Sequence, residues 1–123
     1  PYDLAVRHDG ADRKLITPTD AAAATAVAQA AEEATGQRYG FAYESYMMVT
    51  AYLEGRDPQL PLHRLLEVLN SPNYLELMRF LTGKPVIKLD AQATRYRPGH
   101  FLRRHNDFHR SDGRLCAYVL NFT

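Results

Sequence analysis

Lys84-Pro85-Val86-Ile87-Lys88-Leu89-Asp90-Ala91 is the stretch where the pattern of the chain changes. Before it, apolar residues recur at helical spacing. After it, Val86, Lys88 and Asp90 alternate with Ile87, Leu89 and Ala91, a period near two that reads as strand. The alternation continues toward Tyr96, is interrupted by Pro98-Gly99, and resumes from Phe101 to Asp107. Ser111-Asp112-Gly113 reads as a turn and Arg114 to Thr123 as a final apolar strand. The two strand segments, Ala91 to Asp107 and Arg114 to Thr123, are expected to pair antiparallel in one sheet. Helices first and strands afterwards predict an α+β fold, with helices bracing one face of a mainly antiparallel sheet.

Working back from that boundary, Pro61 starts a helix in which Leu62, Leu65, Leu66 and Leu69 form one apolar stripe. Ser71 caps another, with Pro72 at its first position. Tyr74, Leu75, Leu77, Met78 and Leu81 supply its buried side, and Gly83 ends it. Gly55-Arg56-Asp57-Pro58 breaks the pattern ahead of these helices. Aromatic-rich Tyr39 to Val49 reads as a strand, followed by a short helical turn through Leu53. Ala21 to Ala34 is an alanine-rich helix, with Thr17 as its cap, Pro18 in its first turn, Asp20 near the positive end of its dipole and Gly36 closing it. The expectation is one domain. Residues 1–83 form a mainly helical support with one strand near 39–49, and residues 84–123 supply the first strands of the sheet.

The 123 residues suffice for one small core, and 46% hydrophobic with 24% charged content is ordinary for a globular chain. Lys plus Arg number 15 against 14 Asp plus Glu, a net charge of +1 that argues against nucleic acid or an anionic membrane as the main partner. Single Cys116 excludes an internal disulfide, and its apolar flanks predict a core thiol. There is no apolar run of membrane-spanning length and no signal-peptide pattern, so a cytoplasmic location is the expectation. The start at Pro1 reads as a trimmed or incompletely recorded terminus. At the other end, a sheet closing on Cys116-Ala117-Tyr118-Val119-Leu120 would expose an apolar edge, which native domains avoid. Further strands are therefore expected beyond Thr123; without them, that edge invites pairing with a second copy as a homodimer.

The residues that carry chemistry lie in Tyr96-Arg97-Pro98-Gly99-His100-Phe101-Leu102-Arg103-Arg104-His105-Asn106-Asp107. On an extended strand, residues two apart share a face, so His105 and Asp107 would project together roughly 7 Å apart along the backbone. An imidazole nitrogen and a carboxylate oxygen converging in this way fit two positions of a 2-His-1-carboxylate facial triad. The positions such a triad leaves open on non-haem iron(II) suit a bidentate 2-oxo acid and dioxygen. Alone, His-x-Asp is a common triplet that reads as a solvated pair on a loop. Its setting is more specific: a Tyr-x-Pro-Gly turn precedes it, and Gly113-Arg114 leads from it into an apolar strand.

Ala93 to Leu102, His105-Asn106-Asp107, Gly113-Arg114 and Ala117-Tyr118-Val119-Leu120-Asn121-Phe122-Thr123 together resemble the prolyl-hydroxylase-like branch of the iron(II) and 2-oxoglutarate-dependent dioxygenases. The resemblance covers about 30 residues closely, with looser similarity back to Tyr39. It implies a double-stranded β-helix, or jelly-roll, with helices packed on one sheet. It implies His105 and Asp107 as the first two Fe(II) ligands, and Tyr96 and Asn121 beside the 2-oxoglutarate. Arg114 takes a structural role in its turn. It also implies hydroxylation of a C–H bond, by analogy in a prolyl residue of a protein substrate, with succinate and CO2 as co-products and ascorbate in support.

The family further requires a second histidine ligand and a basic residue that anchors the 2-oxoglutarate carboxylate, both expected beyond Thr123. His109 shares strand parity with the pair, but three ligands in a row on one strand span roughly 13 Å, too far for one ion. His100 has opposite parity, and His8 and His63 lie in the amino-terminal half. Three other readings stand beside this one: a catalytically inactive jelly-roll binding module, a hydroxylase of a free amino acid or other small molecule, and a generic helical interaction domain.

Overall fold

The computed structural model describes residues 2–36, 38–107 and 113–122. From the amino terminus the chain forms strands β1 (Asp3–His8) and β2 (Ala11–Leu15), helix α1 (Asp20–Glu33), strand β3 (Phe41–Met47), helices α2 (Met48–Leu53), α3 (Pro61–Leu69) and α4 (Pro72–Thr82), and strands β4 (Gln92–Arg95) and β5 (Phe101–Leu102). β3 is the spine of an open antiparallel sheet. β1 pairs along one edge of it and carries β2 outside; β4 and β5 share the other edge. The fold is α+β.

The register shows why β4 and β5 are separate. Glu44 faces Arg95 and Ala42 faces Phe101, so the five residues Tyr96 to His100 lie opposite Tyr43 alone. Pro98 has no N–H for a ladder bond, and Gly99 takes φ +87°, so this segment loops out of the sheet. β4 and β5 are two halves of one strand split by that loop.

β1 and β2 are joined by Asp9-Gly10, at φ +52° and +68°, the backbone that a two-residue hairpin with the right-handed twist requires. Among the described residues of 1–83 there are thus three strands, where the sequence reading expected one. β1 was missed because its apolar positions are few, although Asp-Gly between two extended runs is a strong hairpin signal. Leu4 and Val6 on β1 pack with Ala42 of β3 against Ala30 of α1, all four nearly or wholly buried. Alanine lets α1 lie close: a Cβ on Gly40 would sit 2.6 Å from the Ala34 Cβ, so helix and strand meet at a point where only glycine fits. The α1 cap is Thr19, whose side chain accepts from the Ala22 N–H, and not Thr17, which sits at φ +36° before Pro18.

A second core joins Tyr46, Met48, Ala51 and Leu66, and a third joins Leu75, Met78 and Val86. α3 and α4 start at Pro61 and Pro72 as expected, Ser71 capping α4 and Gly83 ending it in the left-handed conformation. Leu77 and Leu81 are exposed and not part of the buried side.

Three strand expectations need correction. Val86 to Ala91 is extended but joins no ladder. Asn70 does the work of a partner strand there, accepting from the Leu89 N–H at 2.8 Å and donating to its carbonyl at 3.0 Å. The strand expected from Phe101 to Asp107 ends at Leu102. The described residues 113–122 form no strand and pair with neither β4 nor β5; their apolar side chains are exposed, Val119 at 84% and Phe122 at 78%. Period-two patterning supplies a face, but it does not by itself supply a ladder: among the described residues the outer edges of β2 and of β4 and β5 stay unpaired while this run lies apart from them. Cys116 is exposed with its neighbours, not in a core. The turn expected at Ser111-Asp112-Gly113 falls, except for Gly113, outside the described residues. No helix among the described residues is long and apolar enough to cross a membrane.

Candidate metal centre at the edge of the sheet

Tyr39, Phe41 and Tyr43 follow one another on one face of β3 and its approach, the face opposite α1, with successive ring centroids 5.8 and 5.5 Å apart. This row ends on two of the residues singled out from sequence. Tyr96 stacks on Tyr43 at 5.6 Å, and the His105 ring lies 6.2 Å from Tyr39. Burial, with the nearby Tyr43 phenol, raises the Tyr96 hydroxyl above the usual tyrosine range; burial does the same at Tyr39, ahead of the Asp12 charge. Both are phenols, not phenolates, at neutral pH.

His105 and Asp107 come together through an irregular segment rather than on a strand. The Arg103 N–H bonds the Gly40 carbonyl at 3.0 Å, the last backbone tie to β3. Beyond it the chain leaves the sheet. His105 Nδ1 lies 3.1 Å from the Arg103 carbonyl, which suits an Nδ1–H donor and leaves Nε2 with its lone pair. That Nε2 is 3.2 Å from Asp107 Oδ1. Two ligands at right angles on an ion with bonds of about 2.1 Å stand roughly 3 Å apart, so the pair fits two adjacent positions of one metal. Arg114 donates to the Asp107 carbonyl at 3.2 Å and holds its guanidinium 3.9 Å from Oδ1.

The structure does not bring the four predicted site residues together. Tyr96 is at the far end of the aromatic row, about 13 Å along the strand from Tyr39. Asn121 is exposed in the unpaired segment 113–122. His109 lies outside the described residues. His100, in the loop between β4 and β5, has its Nδ1 buried without a hydrogen-bond partner among the described residues. No third His, Cys, Asp or Glu among the described residues joins His105 and Asp107. The fit to a metal is therefore partial: two donors in suitable geometry, one short of the three a catalytic site normally keeps.

Beside this edge, Glu44 on β3 binds Arg95 through Oε2 and Arg97 through Oε1, the latter at 2.8 Å, across the mouth of the looped-out segment. Burial pushes the Glu44 carboxyl up, but the Arg95 hydrogen bond and the two guanidinium charges outweigh it and the net shift is downward. Neither Tyr39 nor Glu44 was singled out from sequence; a residue facing across a ladder has no spacing signature.

A second cluster lies at the tip of the β1–β2 hairpin. His8 Nε2 is 3.0 Å from Glu33 Oε1, Nδ1 is 3.4 Å from Asp9 Oδ2, and the ligand atoms of all three residues lie within 4.8 Å of one another. Its bonds already have a structural purpose. Glu33 takes the Asp9 N–H with both oxygens, at 3.0 and 2.8 Å, and Arg13 neutralises Asp9 at 2.9 Å, tying the hairpin tip to the end of α1.

No family model, no curated protein and no solved structure matches this chain.

Proposed function

We propose that the chain is part of an Fe(II) and 2-oxoglutarate-dependent dioxygenase in which His105 and Asp107 supply two of the metal's protein ligands. One observation carries the reading: the Nε2 of His105 and the Oδ1 of Asp107 converge to 3.2 Å just past an antiparallel sheet edge. When bound, the iron would supply the oxidising chemistry that hydroxylates a C–H bond at the expense of 2-oxoglutarate, leaving succinate and CO2. The chain's own part is to hold the two ligands. The Arg103 carbonyl sets the His105 tautomer, Arg114 anchors the Asp107 backbone, and the Tyr39 ring lies tilted beside the imidazole. The sheet itself would be one wall of a jelly-roll, with α1 on its outer face and the aromatic row turned inward. A protein prolyl residue is the substrate favoured by the resemblance; nothing in the geometry separates it from a free amino acid. Pairing of two copies through the exposed run from Leu115 to Phe122 belongs to the same reading.

The test is succinate formation from 2-oxoglutarate with Fe(II), ascorbate and dioxygen. With one donor missing, the 123-residue chain is expected to give little turnover. A form carrying a further histidine-bearing strand is expected to be active and to lose activity with His105→Ala or Asp107→Ala. Activity of the longer form that survives both substitutions would end the proposal.

A further inference from the structure

A cleft of about 480 Å³ lies away from His105. It lies at the start of α3, lined by Pro58, Gln59, Leu60, Pro61, His63, Arg64 and Glu67. Behind its wall the Tyr46 hydroxyl donates to Asp57 Oδ2 at 3.2 Å and lies 3.1 Å from His63 Nε2. Tyr46 is 2% exposed and His63 8% exposed. Burial, then the bond to Asp57, raises the Tyr46 phenol above its ordinary range, so it keeps its single proton. That proton goes to Asp57. The phenol oxygen can then only accept from His63, which fixes the neutral ring as the Nε2–H tautomer and leaves a lone pair on Nδ1. Nδ1 has no hydrogen-bond partner among the described residues and is not among the buried unpaired atoms, so the ring shows it to the cleft. Asp57 holds its place at φ +48° directly before Pro58, a backbone that the preceding-proline clash disfavours.

Arg64 adds the second element. It sits in the first turns of α3, where no acidic residue offsets the positive end of the helix, and it forms no ion pair among the described residues. Glu67, one turn further on the same helix, accepts from the Tyr52 hydroxyl at 3.0 Å and keeps a second carboxylate oxygen. The cleft thus offers an unpaired guanidinium at a helix start, a lone pair and a carboxylate that need a donor, and an apolar rim of Pro58, Leu60 and Pro61. A carboxylate alone would be repelled by Nδ1 and Glu67; an amine alone would leave Arg64 unused.

We infer that this cleft binds a zwitterionic α-amino acid with an apolar side chain. Its carboxylate lies on Arg64, its ammonium donates to His63 Nδ1 and Glu67, and its side chain packs on the proline rim. The inference is independent of the dioxygenase reading, since Tyr46 and Tyr39 are roughly 23 Å apart along β3. It is tested by titrating the 123-residue protein with L-leucine and following backbone amide and histidine ring resonances. Saturable shifts at His63, Arg64 and Glu67 are expected, with the His63 ring remaining the Nε2–H tautomer. Exposed Arg64→Gln, which leaves the core untouched, is expected to weaken binding about tenfold or more, the loss of one charge-assisted pair. 4-Methylpentanoate and 3-methylbutylamine, each lacking one charged group, are expected to bind at least as much more weakly. Absence of shifts at millimolar L-leucine, equal binding of the amine alone, or undiminished binding by Arg64→Gln would each overturn the assignment.

Discussion

The two ends of β3 each hold a histidine near an aspartate, and they are built in opposite ways. At the carboxyl end, His63 and Asp57 meet through the hydroxyl of Tyr46, a core residue; Tyr46 and His63 are buried and Asp57 is half-buried. At the amino end, His105 and Asp107 meet directly, with side chains 31% and 50% exposed, held by one carbonyl and one arginine. Burial makes the first arrangement costly to disturb, whereas exposure makes the second free to change partner. A metal ligand set is better served by the second, provided another donor closes it.

Removing the ring at the enclosed end should have the largest effect. Tyr46→Ala deletes a fully buried aromatic and strands the His63 and Asp57 bonds, and a loss of about 3–5 kcal/mol is expected in denaturant unfolding. If the loss were under about 1 kcal/mol, the contrast between the two ends would fail. Gly40→Ala is expected to cost roughly 1–3 kcal/mol, because the new Cβ would overlap the Ala34 side chain. It should also disturb His105 resonances, since the Gly40 carbonyl holds Arg103.

How far the sequence discloses each end follows from the same contrast. His105 and Asp107 stand two apart, so their meeting is readable as local spacing. Asp57, Tyr46 and His63 are brought together only by the turn at Gly55-Arg56-Asp57-Pro58 and the docking of α3, and no pattern in the chain announces them. The helices were legible because prolines and capping residues mark their starts: Pro61, Ser71-Pro72 and Gly83 fall where expected. The strands were less so. The apolar run from Leu115 to Phe122 looks like a strand but finds no ladder, while β1, with only Leu4 and Val6 fully buried, is a central neighbour of β3. Pairing is a property of the assembled sheet, and alternation alone does not supply it.

Smaller effects sharpen the comparison at the sheet edge. Because the folded Glu44 carboxyl titrates below its ordinary value, its bond to Arg95 stabilises the fold above the unfolded value near pH 4.3. That contribution is lost as the pH falls through the lower folded value. Stability measured from pH 6 downward should therefore drop less steeply in Glu44→Gln than in the native chain; parallel curves would show that the pair contributes nothing. The smallest effect is expected at the exposed pair itself. His105→Ala and Asp107→Ala should each change unfolding free energy by no more than about 0.5 kcal/mol, as removal of a solvent-screened contact does. A larger loss would mean that the pair serves the fold and not a ligand.

Mild substitutions at His105 and Asp107 allow a direct test of the metal centre. Mn(II), added as a paramagnetic stand-in for Fe(II) together with 2-oxoglutarate, broadens nuclear resonances around wherever it binds, even weakly. The account predicts that broadening centres on His105, Asp107 and the Tyr39 ring and disappears there in Asp107→Ala. Broadening centred instead on His8, Asp9 and Glu33, and unchanged by Asp107→Ala, would contradict it.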